Sequence, residues 1–77
     1  MKNKKHKWKT SGESAQIKIG MISAEINFDG REYILDCNIL PLNQRLNSNN
    51  IEIAKKLAVD HIRMRIVEML NDVFKLY

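Results

Sequence analysis

The chain has 77 residues, 44% of them hydrophobic and 29% charged, a globular balance that suits one small domain. No apolar run approaches the ~20 residues of a bilayer span, and the lysines after Met1 are not followed by the apolar stretch of a secretory signal, so a cytoplasmic location and no membrane partner are expected. The formal charge is +4, and a lone Cys37 with His6 and His61 excludes an internal disulfide and a single-chain zinc site of four Cys or His ligands.

The positive charge is concentrated at the start. Lys2, Lys4, Lys5, Lys7 and Lys9 account for five of the thirteen basic residues, which leaves eight basic against nine acidic ones from Thr10 onward and a body of net −1. A basic arm on a near-neutral body attracts phosphates or acidic surfaces in a salt-sensitive, weakly specific way. Trp8, set among the lysines, is the aromatic placed to stack on a base. Residues 1–10 are therefore read as a basic, flexible arm, and the competing reading is a solvated terminus with Trp8 packed on the domain edge.

Strand-like alternation follows from Ala15 to Leu40. Asp29-Gly30 is a dipeptide favoured in two-residue hairpin turns. With Phe28 facing Arg31 across it, Ile26 opposes Tyr33, Ala24 opposes Leu35 and Ile22 opposes Cys37, all apolar. On the other face Asn27 opposes Glu32, Glu25 opposes Ile34 and Ser23 opposes Asp36. Glu25, Glu32 and Asp36 thus form an expected acidic, open sheet face. Upstream the parity changes, since Ile17 and Ile19 are odd while Ile22, Ala24, Ile26 and Phe28 are even. Gly20 at the switch marks a β-bulge or bend, or a division into two short strands. Pro41 ends the second hairpin strand, and Leu42 to Leu46 are read as a short edge strand before the Asn47-Ser48-Asn49-Asn50 loop.

Asn49 with Glu52 three positions on has the pattern of a helix capping box, and no Gly or Pro occurs from Ile51 to Tyr77. The spacing predicts a helix over about 50–75, some 37 Å long at ~1.5 Å per residue, part of which overhangs the sheet. Val59, Ile62, Ile66, Met69, Val73 and Leu76 make a continuous stripe expected to cover the sheet. A second set, Ile53, Leu57, Met64, Val67 and Phe74, lies on the far side, interrupted by Asp60 and Asn71. One helix over one sheet face cannot bury both stripes, so the second set is expected to bind a protein partner or a second copy of the chain. The alternative cover is the chain's own Ile17 to Ile19 segment.

Little reactive chemistry remains. Cys37 points to the core in this register and looks structural; His61 sits in a charged stripe with Asp60, Arg65 and Glu68. Gly12, Gly20 and Gly30 are isolated, and none opens the helix, so no phosphate loop of the usual kind is formed. The run Ala54-Lys55-Lys56-Leu57-Ala58 is similar to the last helix of double-stranded-RNA-binding domains. Those domains place a basic cluster at the start of that helix, where this chain has Asn49, Asn50 and Glu52, and no preceding helix is evident, so the chain is not assigned to them. Three strands laid in a DNA major groove ask for basic or amide residues on the open sheet face, where Glu25, Glu32 and Asp36 would repel phosphates.

The resulting expectation is an α+β domain over 11–77, an antiparallel hairpin-based sheet of two to four strands (about 15–40) packed against one long C-terminal helix. No catalytic residue, cofactor, metal or small-molecule substrate is expected. The expected function is a non-enzymatic protein–protein interaction module. Lys, Asn and Ile, encoded by A/T-rich codons, make up 27 of the 77 residues, which suits a small bacterial, mobile-element or phage accessory or inhibitor protein acting by surface occupation. A second mode presents the acidic face to a basic surface. The alternative function is nucleic-acid binding through the Lys2 to Lys9 arm.

Overall fold

The computed structural model describes residues 7–75, so Lys2, Lys4, Lys5 and Leu76 fall outside it. Five strands, β1 (Lys9–Ser11), β2 (Ser14–Ile19), β3 (Ile22–Phe28), β4 (Tyr33–Cys37) and β5 (Gln44–Arg45), precede one helix, α1 (Ile51–Phe74). The strands form a single antiparallel sheet in the order β1-β2-β3-β4-β5, each joined to the next in sequence, and α1 lies on one face over β3 and β4. The class is the expected α+β, but the sheet has one strand more than the upper expectation of four. The short edge strand expected over Leu42 to Leu46 is present as the two residues of β5; the addition is the three-residue ladder of β1 at the other edge, within the stretch read as an arm and too short to show an alternation in sequence.

The change of parity upstream is resolved by a tight hairpin. Ile19 pairs directly with Ile22, and Gly20 between them takes a φ of 61°, the positive value a glycine adopts freely at the first central position of a hairpin turn. Two strands, not a bulged one, therefore place Ala15 and Ile17 of β2 on the same face as Ile26 and Ala24 of β3.

The β3–β4 register differs from the expected one by two residues. Phe28 pairs with Tyr33, Ile26 with Leu35 and Ala24 with Cys37, while Asn27 opposes Ile34 and Glu25 opposes Asp36. The turn is longer than Asp29-Gly30 alone because the Asp29 side chain organises it. Its Oδ1 accepts from the backbone N–H groups of Arg31 and Glu32, both at 2.9 Å, and its own N–H donates to Glu32 O at 3.0 Å. Such a turn uses aspartate as a backbone mimic. A shift of two preserves parity, so every residue keeps its face although every partner changes.

One sheet face and one stripe of α1 make the core: Ala15, Ile17, Ala24, Ile26, Tyr33, Leu35, Cys37 and Leu46 against Ala54, Ala58 and Ile62. The small side chains of Ala54 and Ala58, both fully buried, let the helix backbone approach the sheet closely. The helix is capped by Asn50, one residue later than the expected Asn49, its side chain accepting from the N–H groups of Glu52 and Ile53 at 2.9 and 3.2 Å. The expected sheet-covering stripe holds only in part. Ile62 is buried and Ile66 packs against the core, but Met69 and Val73 are exposed.

Candidate functional site

The exposure of Met69 and Val73 follows from length. At ~1.5 Å per residue the 24 residues of α1 run about 36 Å, whereas the seven residues of β3 reach only about 23 Å at ~3.3 Å each. The first half of the helix sits on the sheet through Ala54, Ala58 and Ile62; the last three turns lead away past it. There Met69, Val73, Leu70, Phe74, Val67 and Met64 follow one another round the helix over about 220° at ~100° per residue, and all six are exposed, Met64 by 66% and Phe74 by 71%. A helix apolar over so much of its circumference is normally covered.

Of the expected partner-binding residues, Ile53, Met64, Val67 and Phe74 are exposed, whereas Leu57 is half-buried against the core. Leu70, Met69 and Val73 belong to the same exposed surface. Helical phase assigns Met69 and Val73 to the sheet, whereas the overhang expected from the helix length is what leaves them exposed. Met64 also borders a cleft formed with Leu40, Pro41, His61 and Arg65, and the Arg65 Nε–H donates to Ile39 O at 2.9 Å. Arg65 also pairs with Glu68 at 3.4 Å.

The open sheet face is not the acidic one expected. Glu25 and Asp36 are brought directly opposite each other, but Glu32 lies at the turn before β4. There its carboxylate accepts from the Arg45 guanidinium and, at 3.1 Å, from the Asn47 N–H. This contact holds β5 against the turn. The cross-strand row Lys9, Gln16, Glu25, Asp36 spans β1 to β4, and Lys18 opposes Ser23 in the next row. Lys7, Lys9 and Lys18 line a shallow groove of about 620 Å³ together with Glu25 and Asp36, so basic and acidic groups share the face.

The sheet begins within the stretch assigned to the arm, at Lys9. Trp8 is half-buried and packs against the core, while Lys7 is exposed. Alternation explains the split: Lys9 shares the face of Gln16, and residues two apart share a face. Cys37 is buried opposite Ala24 rather than Ile22. Sequence reasoning gave no role to Asn38, whose side chain accepts from Ser23 N–H at 3.0 Å and donates to Met21 O at 2.7 Å. No protein-family model, curated protein or solved structure gives a significant match to this chain.

Proposed function

We propose that the protein is a non-enzymatic interaction module that docks a protein partner on the overhanging C-terminal half of α1. One observation carries the reading: Met64, Val67, Leu70 and Phe74 are each more than half exposed on the same helix whose first half is seated on the sheet. Exposed apolar surface of this extent, concentrated on one element, is characteristic of interaction sites. Side chains of this kind supply the anchors of a protein interface, where Met and aromatic residues are enriched. The cleft beside Met64 extends the surface toward Leu40 and Pro41, giving an incoming side chain a recess to enter.

The test uses Val67→Glu/Phe74→Glu, which places two charges on the surface without touching a buried position. Light scattering on the native chain determines whether a second copy is the occupant; where the native chain is monomeric, affinity capture from host extract identifies a different protein. Expected is an assembly, or a captured protein, that the double variant loses while its circular dichroism stays native. The reading fails where the double variant retains the assembly or captures the same protein as the native chain, or where it unfolds.

A further inference from the structure

The outer face of α1 carries a seam with the same pattern from either end. Ile53, Leu57, Met64, Val67 and Phe74 leave two gaps of seven residues, and Asp60 and Asn71 fill them, so the steps along the line alternate between four and three. That is the 3.5-residue repeat of two packed helices. From Leu57 to Phe74 the order is apolar, polar, apolar, apolar, polar, apolar, a palindrome. At ~100° per residue the line lies about 150° round the helix from Ala54, Ala58 and Ile62, which are buried against the sheet. Leu57 is half-buried, and every other member of the line is exposed, the two polar ones included. Among the described residues no ion pair within 4.0 Å engages Asp60.

We propose that this seam pairs with the same seam of a second copy of the chain, antiparallel about a two-fold axis level with Arg65 and Ile66. The pairing rests on the docking reading of α1 given above and names its occupant. In a two-fold contact residue i meets j and j meets i, so a palindrome is what such a dimer requires, whereas a foreign occupant needs none. Leu57 then faces the partner's Phe74, Met64 the partner's Val67, and Asp60 the partner's Asn71. Apolar residues meet apolar ones, and a carboxylate meets an amide donor. Other arrangements lose this match. A slide of one heptad sets Asp60 against the partner's Met64 in one direction and Asn71 against the partner's Val67 in the other. A parallel pair in register sets Asp60 against Asp60 of the partner subunit. Polar residues within such seams fix register in this way. On one flank His61 lies opposite the partner's Glu68, an N–H donor against a carboxylate. The overhanging end of each helix lies over the seated first half of the other, and the two sheets are left on the outside.

Sedimentation equilibrium of the full chain up to about 1 mM should show a reversible monomer–dimer equilibrium. Asn71→Asp puts a second carboxylate opposite Asp60 and should weaken the dimer at least about tenfold. The exchange Asp60→Asn/Asn71→Asp restores the pair and should recover the native affinity. Both positions are exposed, so circular dichroism should stay native in each variant. Orientation is read by cross-linking under diamide, with Cys37 buried. Asp60→Cys mixed with Asn71→Cys should give the mixed disulfide, whereas neither should cross-link to itself. Two copies of either position lie about 16 Å apart along the seam at ~1.5 Å per residue, beyond the ~7 Å between Cα atoms that a disulfide spans. The pairing is overturned by a native chain that stays monomeric at about 1 mM, by an Asn71→Asp dimer as tight as the native one, or by self-cross-linking of either cysteine variant. A monomer removes the second copy alone, because docking of a foreign protein is judged separately by what Val67→Glu/Phe74→Glu fails to capture from host extract.

Discussion

The Asn38 amide links the end of β4 to the β2–β3 turn. Its Oδ1 accepts from Ser23 N–H, its Nδ2 donates to Met21 O, and its own backbone N–H donates to Ser23 O at 3.1 Å. Asn38→Ala removes these two side-chain bonds, each of ~0.5–1.5 kcal/mol, together with the weak one that Oδ1 accepts from the Cys37 thiol at 3.9 Å, and should lower stability in urea titration by about 1–2 kcal/mol without changing the fold. Asn38→Asp keeps the acceptor but turns an anionic oxygen toward Met21 O, so it should be no better than alanine. Asp29 has a comparable role in the β3–β4 turn, and it titrates. The N–H groups of Glu32 and Arg31 that it accepts, with the nearby Arg45 charge, hold its carboxyl below the ordinary value of 3.8. The lowered value means that the ionised form is favoured by folding. The contribution is present above about pH 3.8 and disappears as pH falls through the lower native value. The stability advantage of the native chain over Asp29→Asn should therefore be constant from neutral pH down to the usual carboxylate range and shrink below it. An advantage that instead grows on acidification would contradict this account of the turn.

At the scale of elements, residue faces were more legible than residue partners. Alternation from Ala15 to Cys37 assigns the core face correctly because burial selects parity, and a two-residue slip leaves parity untouched. The slip itself was hidden in the side chain of Asp29: Asp-Gly is consistent with a two-residue turn, and only the Asx bonds to Arg31 and Glu32 reveal the longer loop. The same limit applies to the open face, where Glu32 counted as one acid among three until the path of β5 brought Arg45 to it. Helix phase likewise identifies the stripe that continues Ile62, but phase carries no information about where the sheet stops. The seat of α1 depends on Ala54 and Ala58, whose weakly hydrophobic side chains do not mark a stripe of their own in the helical periodicity. Ala58→Leu should push the helix from β3 and β4 and cost about 1–3 kcal/mol through overpacking, read as a fall in the urea midpoint. Asn50→Ala, which leaves the N–H groups of Glu52 and Ile53 without their acceptor, should cost about 1 kcal/mol.

For the whole molecule, the core is thin relative to the surface it must organise. Ile26 and Leu35 are its largest fully buried side chains, and the body is a plate of 45 × 36 × 17 Å with the helix on one side and the groove on the other. At ~0.05–0.15 kcal/mol per residue, a chain of this size carries about 4–12 kcal/mol in all, so Leu35→Ala, at ~2–5 kcal/mol, should remove a large part of it. A fold with so little reserve is measurably stabilised by anything that binds only its native state, by RT ln(1 + [L]/Kd), or about 2.7 kcal/mol at a hundredfold excess over Kd. If a second copy covers the end of α1, the thermal midpoint of the native chain should rise with protein concentration. Met64→Glu should abolish that rise while leaving the midpoint of the dilute protein unchanged, because the side chain is exposed in the single chain. Scanning calorimetry of both proteins over a wide concentration range separates the cases. A native midpoint independent of concentration removes the second copy and leaves a different protein as the occupant. A dilute Met64→Glu that melts early would instead place Met64 in the monomer's own packing, against the docking role given to this end of the helix.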